Sequence, residues 1–575
     1  MKLVFDIETD DLNATKIWCI VAQDVDSNKI YKFGPDNLDK GYELLESAEQ
    51  LIGHNIIGFD IPMVEKFSGI KLTDNVVDTL VLSRLFNPTR EGGHSLDNWG
   101  YRLRYRKIEF EDYQNYSSEM LQYCVRDVQL NTLVYNKLKQ ESIGFSRESV
   151  ELEHQVARVM RTQEDNGFKF DGKAAALLLA QLRERLQEVE DEVHKTFKPR
   201  WVDDKLVTPY IKKDGSLSKR GLTDDEYQDC LSTGDTKPFM RRKLEPFNLG
   251  SRKQIGEYLT EMGWRPDRFT PTGQPIVDEK TLSEITHIYE AKLIAEYLLL
   301  QKRIAQIDSW IEAVKDDGRV HGFVIPNGTI TGRMTHRNPN MAQVPSLASP
   351  YGKECRACWI VDEDYKLVGV DASGLEIRML AHYMKDEDFI NEIINGDVHT
   401  SNQKLAGLES RNQAKTFIYA LMYGAGDEKL GKVVGGTKGD GSRIRKHFFA
   451  NKPSFKTLRD RVQRAATKKY LKALDGRKVF VRTAHAALNT LLQSAGAIVM
   501  KKGLALLDER LRLSDIDYRF VANIHDEWQI EVRQCQVNKV GQLAVKSIID
   551  AGEHYNLRCP LDGEFKVGGN WSETH

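Results

Sequence analysis

Asp6 and Glu8 stand two residues apart at the end of the apolar run LVFDIE. On a strand such residues share a face, so both carboxylates would point the same way. Asn55, Phe59 and Asp60 follow a second apolar run, and Tyr123 and Asp127 lie four apart in EMLQYCVRDVQL, whose apolar spacing is helical. Separated carboxylates of this kind can hold two divalent cations for phosphodiester hydrolysis, and a tyrosine beside them can orient the attacking water. A second set lies in the C-terminal half. Asp371 ends the run KLVGVD, and Asp526 and Glu527 sit at a bend in YRFVANIHDEWQIEV, which reads as a hairpin. Two aspartates at the ends of neighbouring strands make another site able to bind a metal pair.

A third group is cationic and aromatic. Arg411, Lys415, Tyr419 and Tyr423 follow one another at steps of four, and Ala414, Phe417, Ile418, Leu421 and Met422 form an apolar stripe beside them. The spacing predicts a helix that nothing breaks before Gly424, with two cations and two phenols stacked on one face. At 1.5 Å per residue the row spans roughly 18 Å, enough for a triphosphate at one end and a base at the other. HAALNTLLQSAGA adds a polar row, His485, Asn489 and Gln493, again at four-residue steps on an apolar helix. Donors placed there can test base-pair geometry in a minor groove, whose acceptors barely vary with sequence; a satisfied polar stripe between helices is the alternative.

The elements that must position these groups come from a chain of 575 residues, long enough for several domains. Its 82 basic and 84 acidic residues give a formal charge of −2, so a nucleic-acid partner would have to meet local patches and not a global basic field. No apolar run is long enough to span a bilayer, and MKLVFDIETD turns acidic too early for a secretory signal. Seven scattered cysteines fit a reducing compartment, and the lone C-x-x-C of Cys355 and Cys358 reads as two thiols without zinc. Residues 149–198 read as long helices with solvated charged faces. Residues 200–246 are rich in turn formers, lack a sustained period, and read as an insertion or extended loop. Helical order returns after Asn248; two long helices carrying basic residues would form either a clamp over a duplex or an ordinary hairpin. The glycines of 424–426 and 435–441 lack a following GK[ST], which excludes an ATPase phosphate loop.

D-x-E, N-x-x-x-F-D and Y-x-x-x-D in this order resemble the three motifs of DEDDy-type 3′-to-5′ exonucleases. D-x-S-x-x-E, R-x-x-x-K-x-x-x-Y-x-x-x-Y-G and H-D-E resemble motifs A, B and C of family A DNA polymerases. DASGLEIRMLAHYM, NGDVHT, NQAKTFIYALMYGAGDEKLG, LDGRKV and GNWSETH bring the chain nearest to the replicative polymerases of T-seven-type short-tailed phages. The resemblance covers nearly the whole chain; the exceptions are 200–246 and a shorter exonuclease region.

It implies an α/β multi-domain fold: an RNase H-like exonuclease domain (1–148), a thumb (149–335) with the insertion at 200–246, palm (336–385), fingers (386–484) and the rest of the palm (485–575). It implies template-directed DNA synthesis from dNTPs onto a primer 3′-OH, with proofreading. Asp6, Glu8, Asp60 and Asp127 would be metal ligands and Tyr123 would assist the water. Asp371, Asp526 and the carbonyl of Ala372 would hold two Mg²⁺ ions, with Mn²⁺ as a substitute. His399, Arg411 and Lys415 would bind the triphosphate, Lys415 doubling as general acid. Tyr419 would lie beside the incoming sugar and Tyr423 beside the templating site, while Glu376 would be a steric gate against a 2′-OH. Arg333, Gln343, His485, Asn489 and Gln493 would face the DNA, and Glu527 is less essential in the family. Implied partners are primer-template DNA, dNTPs, a replicative helicase-primase, and host thioredoxin or another processivity factor at 200–246. The chain is expected to be a monomer acting in the cytoplasm of an infected bacterium. A nuclease-only repair enzyme would leave motifs A, B and C without purpose. A single-subunit RNA polymerase would share the palm but not the gate, and a non-catalytic scaffold would need neither set of acids.

Overall fold

The apolar N-terminal run forms β1 (Lys2–Thr9), with Leu3, Val4 and Phe5 fully buried. It is the central strand of a five-stranded sheet in the computed structural model, which describes residues 1–575. The order is β3-β2-β1-β4-β5, with β2 (Ile17–Asp24), β3 (Ile30–Phe33), β4 (Gln50–Gly53) and, after helix α1 (Asp60–Ser68), β5 (Val76–Asp78). β1 runs antiparallel to β2 and parallel to β4. Side chains alternate across a strand. Leu3, Phe5 and Ile7 enter one core with Val64 of α1, while Val4 packs with Met120, Cys124 and Val128 of α2 (Ser118–Glu141). Asp6 and Glu8 therefore share the face that looks at α2.

The chain divides into a large unit, Met1–Asp171 with Ala313–His575, and a second unit, Gly172–Glu312. The second unit is shorter than the 149–335 expected for a thumb. The reason is α3 (Arg147–Asn166), whose apolar stripe is buried in the large unit's core, Leu152, Val156 and Val159 included. Glu153 is fully buried, 2.6 Å from the Lys501 ammonium and paired with Arg477, which Asp475 also holds. His154 accepts from the amide of Asp78 on β5 at 2.8 Å. Removing one partner of such a buried cluster leaves an uncompensated charge at about 3–5 kcal/mol.

In the second unit α4 (Gly172–Thr196) and α5 (Tyr289–Ala313) are tied together by Arg185–Glu296 at 2.7 Å and Arg183–Asp308 at 2.9 Å. The segment 200–246 is no extended loop. It forms an antiparallel ribbon of β6 (Arg200–Val207) and β7 (Phe239–Glu245), with a small hairpin and a ten-residue helix (Asp224–Thr233) between them.

The rest of the large unit centres on a four-stranded antiparallel sheet, which contains β8 (Tyr365–Ala372). Helices α6 (Leu375–Met384), α7 (Val398–Ala406) and α8 (Arg411–Met422) follow β8 in sequence, and after them the long α9 (Ala487–Arg512). The hairpin β9 (Tyr518–Ile524) and β10 (Glu527–Arg533), then α10 (Val537–His554) and β11 (Gly563–Gly568), complete the sheet in the order β9-β10-β8-β11. No helix is long and apolar enough to cross a membrane.

Candidate active sites

Asp371 is the penultimate residue of β8 and pairs with Glu527 at the start of β10. Asp526 sits in the two-residue turn between β9 and β10, where His525 adopts φ 58°. The Ala372 amide donates to the Asp526 carbonyl at 3.2 Å, locking the turn against the strand end. Both aspartates are largely desolvated. Burial, then repulsion from Asp526 and Glu527, pushes Asp371 up to about 7, and burial likewise raises Asp526. Glu527 behaves differently. Burial alone would raise it, but His575, the Trp571 indole (2.7 Å) and Arg356 hold it below its ordinary value. Its carboxylate also accepts from Gln529 at 2.5 Å, so it is spent on structure despite its place beside Asp526.

The two aspartates line a cavity of about 600 Å³ together with Ala372, Glu376, His399, Lys415, Tyr419, Tyr423 and Arg333. Ser410 caps α8 by accepting from Gln413 N, and the helix ends at Met422. Tyr423 is thus its C-cap and not a helical residue. Gly424 turns the chain with φ 75°, and a Cβ there would lie 2.6 Å from the His485 carbonyl oxygen. Glu376, in the first turn of α6, accepts from Arg333 at 2.9 Å and from the Tyr423 hydroxyl at 2.5 Å, which fixes its carboxylate. Tyr419 lies between His399 and Tyr423, with ring centroids at 6.4 and 6.3 Å. Arg411 is not among the cavity's lining residues: its Nε donates to Asp397 at 2.6 Å, and Asp397 also caps α7.

His485 does not continue the α9 row. It lies in a 3-10 turn, Ala484–Ala486, because Thr483 caps that turn before the helix begins at Ala487. Asn489 and Gln493 share a half-buried face of α9, and Gln343 ends a short 3-10 turn, Met341–Gln343.

At the first sheet, Asp6 and Glu8 come within 4.8 Å of each other and of the Cys124 thiol. Asp60 starts α1 and accepts from the Ile7 amide at 3.2 Å. Tyr123 and Asp127 present one face of α2 toward β1, and Lys107 pairs with Asp127 at 2.5 Å. Burial is the main cause of every shift here: Glu8 is pushed up to about 9, Asp60 to about 7 and Asp127 to about 6, and Asp6 is raised further by its acidic neighbours. Asp127 Oδ1 is buried with no hydrogen-bond partner. Four crowded carboxylates with an orphaned oxygen fit a divalent cation, whose charge would offset both repulsion and desolvation. Lys107 and Cys124 carry no motif and escape a reading of sequence.

A consequence for stability follows. These carboxylates have folded pKa values raised above the unfolded ones, so their favourable contribution is complete near pH 4 and is lost as pH rises through about 6–9. In chelator the melting temperature should fall across that window. Mg²⁺ should raise it more at pH 8 than at pH 5, and Asp60→Asn should flatten the slope. Thermal melts in chelator and in Mg²⁺ at both pH values check this.

The fold is that of a DNA polymerase. The structure aligns with the POL domain of Pol1 from M. smegmatis, solved in complex with DNA primer-template and dNTP, at a TM-score of 0.80 and 18% identity, covering 100% of this chain and 96% of that one. The chain belongs to DNA polymerase family A, whose model matches residues 223–573. It is 34% identical over 704 residues to the DNA-directed DNA polymerase of Enterobacteria phage T3 and 33% over 706 residues to that of Escherichia phage T7, covering 100% of both chains in each case.

Proposed function

We propose that this family A enzyme, a template-directed DNA-dependent DNA polymerase, is phage-encoded, replicates phage DNA in the infected host, and proofreads with a separate 3′-to-5′ exonuclease site of RNase H-like type. The observation that carries the synthetic half is that Asp371 and Asp526 line one cavity with Lys415, Tyr419 and Tyr423. The nuclease half is supported by the mixed sheet β3-β2-β1-β4-β5 and by the desolvated cluster of Asp6, Glu8, Asp60 and Asp127.

Asp371 and Asp526, with the Ala372 carbonyl, would hold two Mg²⁺ or Mn²⁺ ions, which when bound stabilise charge on the transferring phosphoryl group and acidify the attacking hydroxyl. Lys415 faces the cavity as a compact, mobile cation suited to meet the triphosphate and protonate departing pyrophosphate. Glu376, held by Arg333 and Tyr423, closes the sugar side against a 2′-OH. Arg333, Asn489 and Gln493 supply donors for the minor groove, where they test pair geometry and not sequence. Closure of α8 over a matched nucleotide would complete the site. Primer extension tests this: dNTPs on a primed template should be incorporated, and rNTPs, or dNTPs without primer, should not. Extension by rNTPs at a comparable rate would favour an RNA polymerase relative.

The ribbon at 200–246 supports a processivity partner, with thioredoxin as our choice. A bulge at Asp204 shifts the register, so Trp201 opposes Leu244 and Leu206 opposes Met240 on one face. These four side chains are 60%, 53%, 63% and 47% exposed, an apolar face of the kind that marks an interaction site. Bacterial thioredoxin should lengthen products made per binding event, and Leu206→Asp should remove the gain. Absence of association in a pull-down, with product length unchanged, would refute this partner.

A further inference from the structure

Lys107 lies in the segment 104–117, between the helix Leu96–Leu103 and α2, and the function proposed above does not use it. Its ammonium is 2.5 Å from Asp127 Oδ2 and 4.6 Å from the Tyr123 ring centroid. The Lys107 side chain is only 22% exposed, and Asp127 is buried with Oδ1 unpartnered. The same segment supplies Phe110, whose ring lies 5.5 Å from that of Tyr123, and Tyr113, whose hydroxyl reaches the Tyr123 hydroxyl at 3.4 Å. One stretch of chain therefore places a cation on Asp127 and two aromatic rings on Tyr123.

A divalent ion such as Mg²⁺ binds a carboxylate oxygen at about 2.0–2.1 Å. Placed on Asp127, it would crowd an ammonium already in contact with the same carboxylate, and two cations so close in a water-poor site repel strongly. We propose that Lys107 is a tethered cation that competes with the divalent ion for Asp127, so that metal loading displaces Lys107 and shifts Phe110 and Tyr113 against Tyr123. The inference rests on the reading of Asp6, Glu8, Asp60 and Asp127 as a metal site. Lysine suits the task, being a compact charge on a flexible stem that can swing away, where an arginine fork would grip both oxygens. Lys107 is a positioning residue: it acts on the ion through Asp127 and on the water-orienting tyrosine through its ring.

Mn²⁺ binding to the full chain, followed by electron paramagnetic resonance in an Asp526→Ala background, tests the competition. Adding Lys107→Met should tighten Mn²⁺ at the remaining site about tenfold, a common size for coupling between two ligands; Lys107→Arg, which keeps the charge, should not. In the chain with Asp526 intact, Lys107→Met should lower the Mg²⁺ concentration that half-saturates degradation of a single-stranded oligonucleotide. Its primer extension should match wild type, which also shows that the variant folds. Unchanged or weaker Mn²⁺ binding by Lys107→Met overturns the proposal. Adding Asp6→Ala to the Asp526→Ala chain separates the two failures. Mn²⁺ binding that depends on Asp6 but not on Lys107 refutes the competition alone, whereas binding indifferent to Asp6 removes the metal-site reading and the competition with it.

Discussion

Asp526→Ala should lose primer extension by roughly three orders of magnitude or more, since ion stabilisation of a transferring phosphoryl group is worth several kcal/mol and each ~1.4 kcal/mol is tenfold in rate. Degradation of single-stranded DNA should be untouched. The expectation rests on where the carboxylate sits. Asp526 lies in the β9–β10 turn, raised by burial, and lines the cavity with Asp371. Its carboxylate makes no salt bridge and no hydrogen bond to another residue, only one to its own amide, so its loss should disturb the fold little. Glu527→Gln makes the instructive contrast. Its carboxylate is engaged by Trp571, Gln529 and His575, so the effect should appear in stability more than in chemistry. Single-turnover extension on a primed template, with a melt of each variant, checks both. Asp526→Ala extending within tenfold of wild type would mean the hairpin tip is not the catalytic centre.

Asp6→Ala should do the reverse, cutting degradation by a comparable factor and leaving extension near wild type. Asp6 lies on β1, half-buried, on the face that meets α2, and desolvation, then Asp60, Glu8 and Asp127, raises its pKa. Its removal also relieves repulsion, so the variant should melt at or above the wild-type temperature in chelator near pH 8. Lost activity with gained stability is a pattern that misfolding cannot produce. The check is a time course on labelled single-stranded DNA beside a melt of the same preparation. Unimpaired degradation would place the nuclease elsewhere in the chain.

The acids and the α8 row are legible in sequence because each depends on a local period. Asp6 and Glu8 must share a face once 2–9 is a strand, and Lys415 and Tyr419 must share one once 411–422 is a helix. Long-range partners leave no such trace. Arg411 reads as one cation of the row that would meet a triphosphate, yet Asp397, which caps the preceding helix, takes its guanidinium. Glu153 reads as one more solvated charge on an amphipathic helix, yet it is buried between Lys501 and Arg477. His485 keeps the four-residue step, but a threonine cap just before it makes a separate turn. The ribbon at 200–246 hides its alternation because the bulge at Asp204 puts Trp201 and Leu206 on one face at odd spacing. Lys107 sits in an aperiodic segment, and only the fold brings it to Asp127.

The claim that the two sites serve one primer end is tested most directly with a template carrying a labelled primer whose 3′ nucleotide is mismatched. Given dNTPs and Mg²⁺, wild type should remove the mismatch and then extend to full length, while Asp6→Ala should stall at the mismatch yet extend a matched primer normally. Wild type extending over the retained mismatch, or Asp6→Ala removing it as fast as wild type, would contradict a proofreading polymerase.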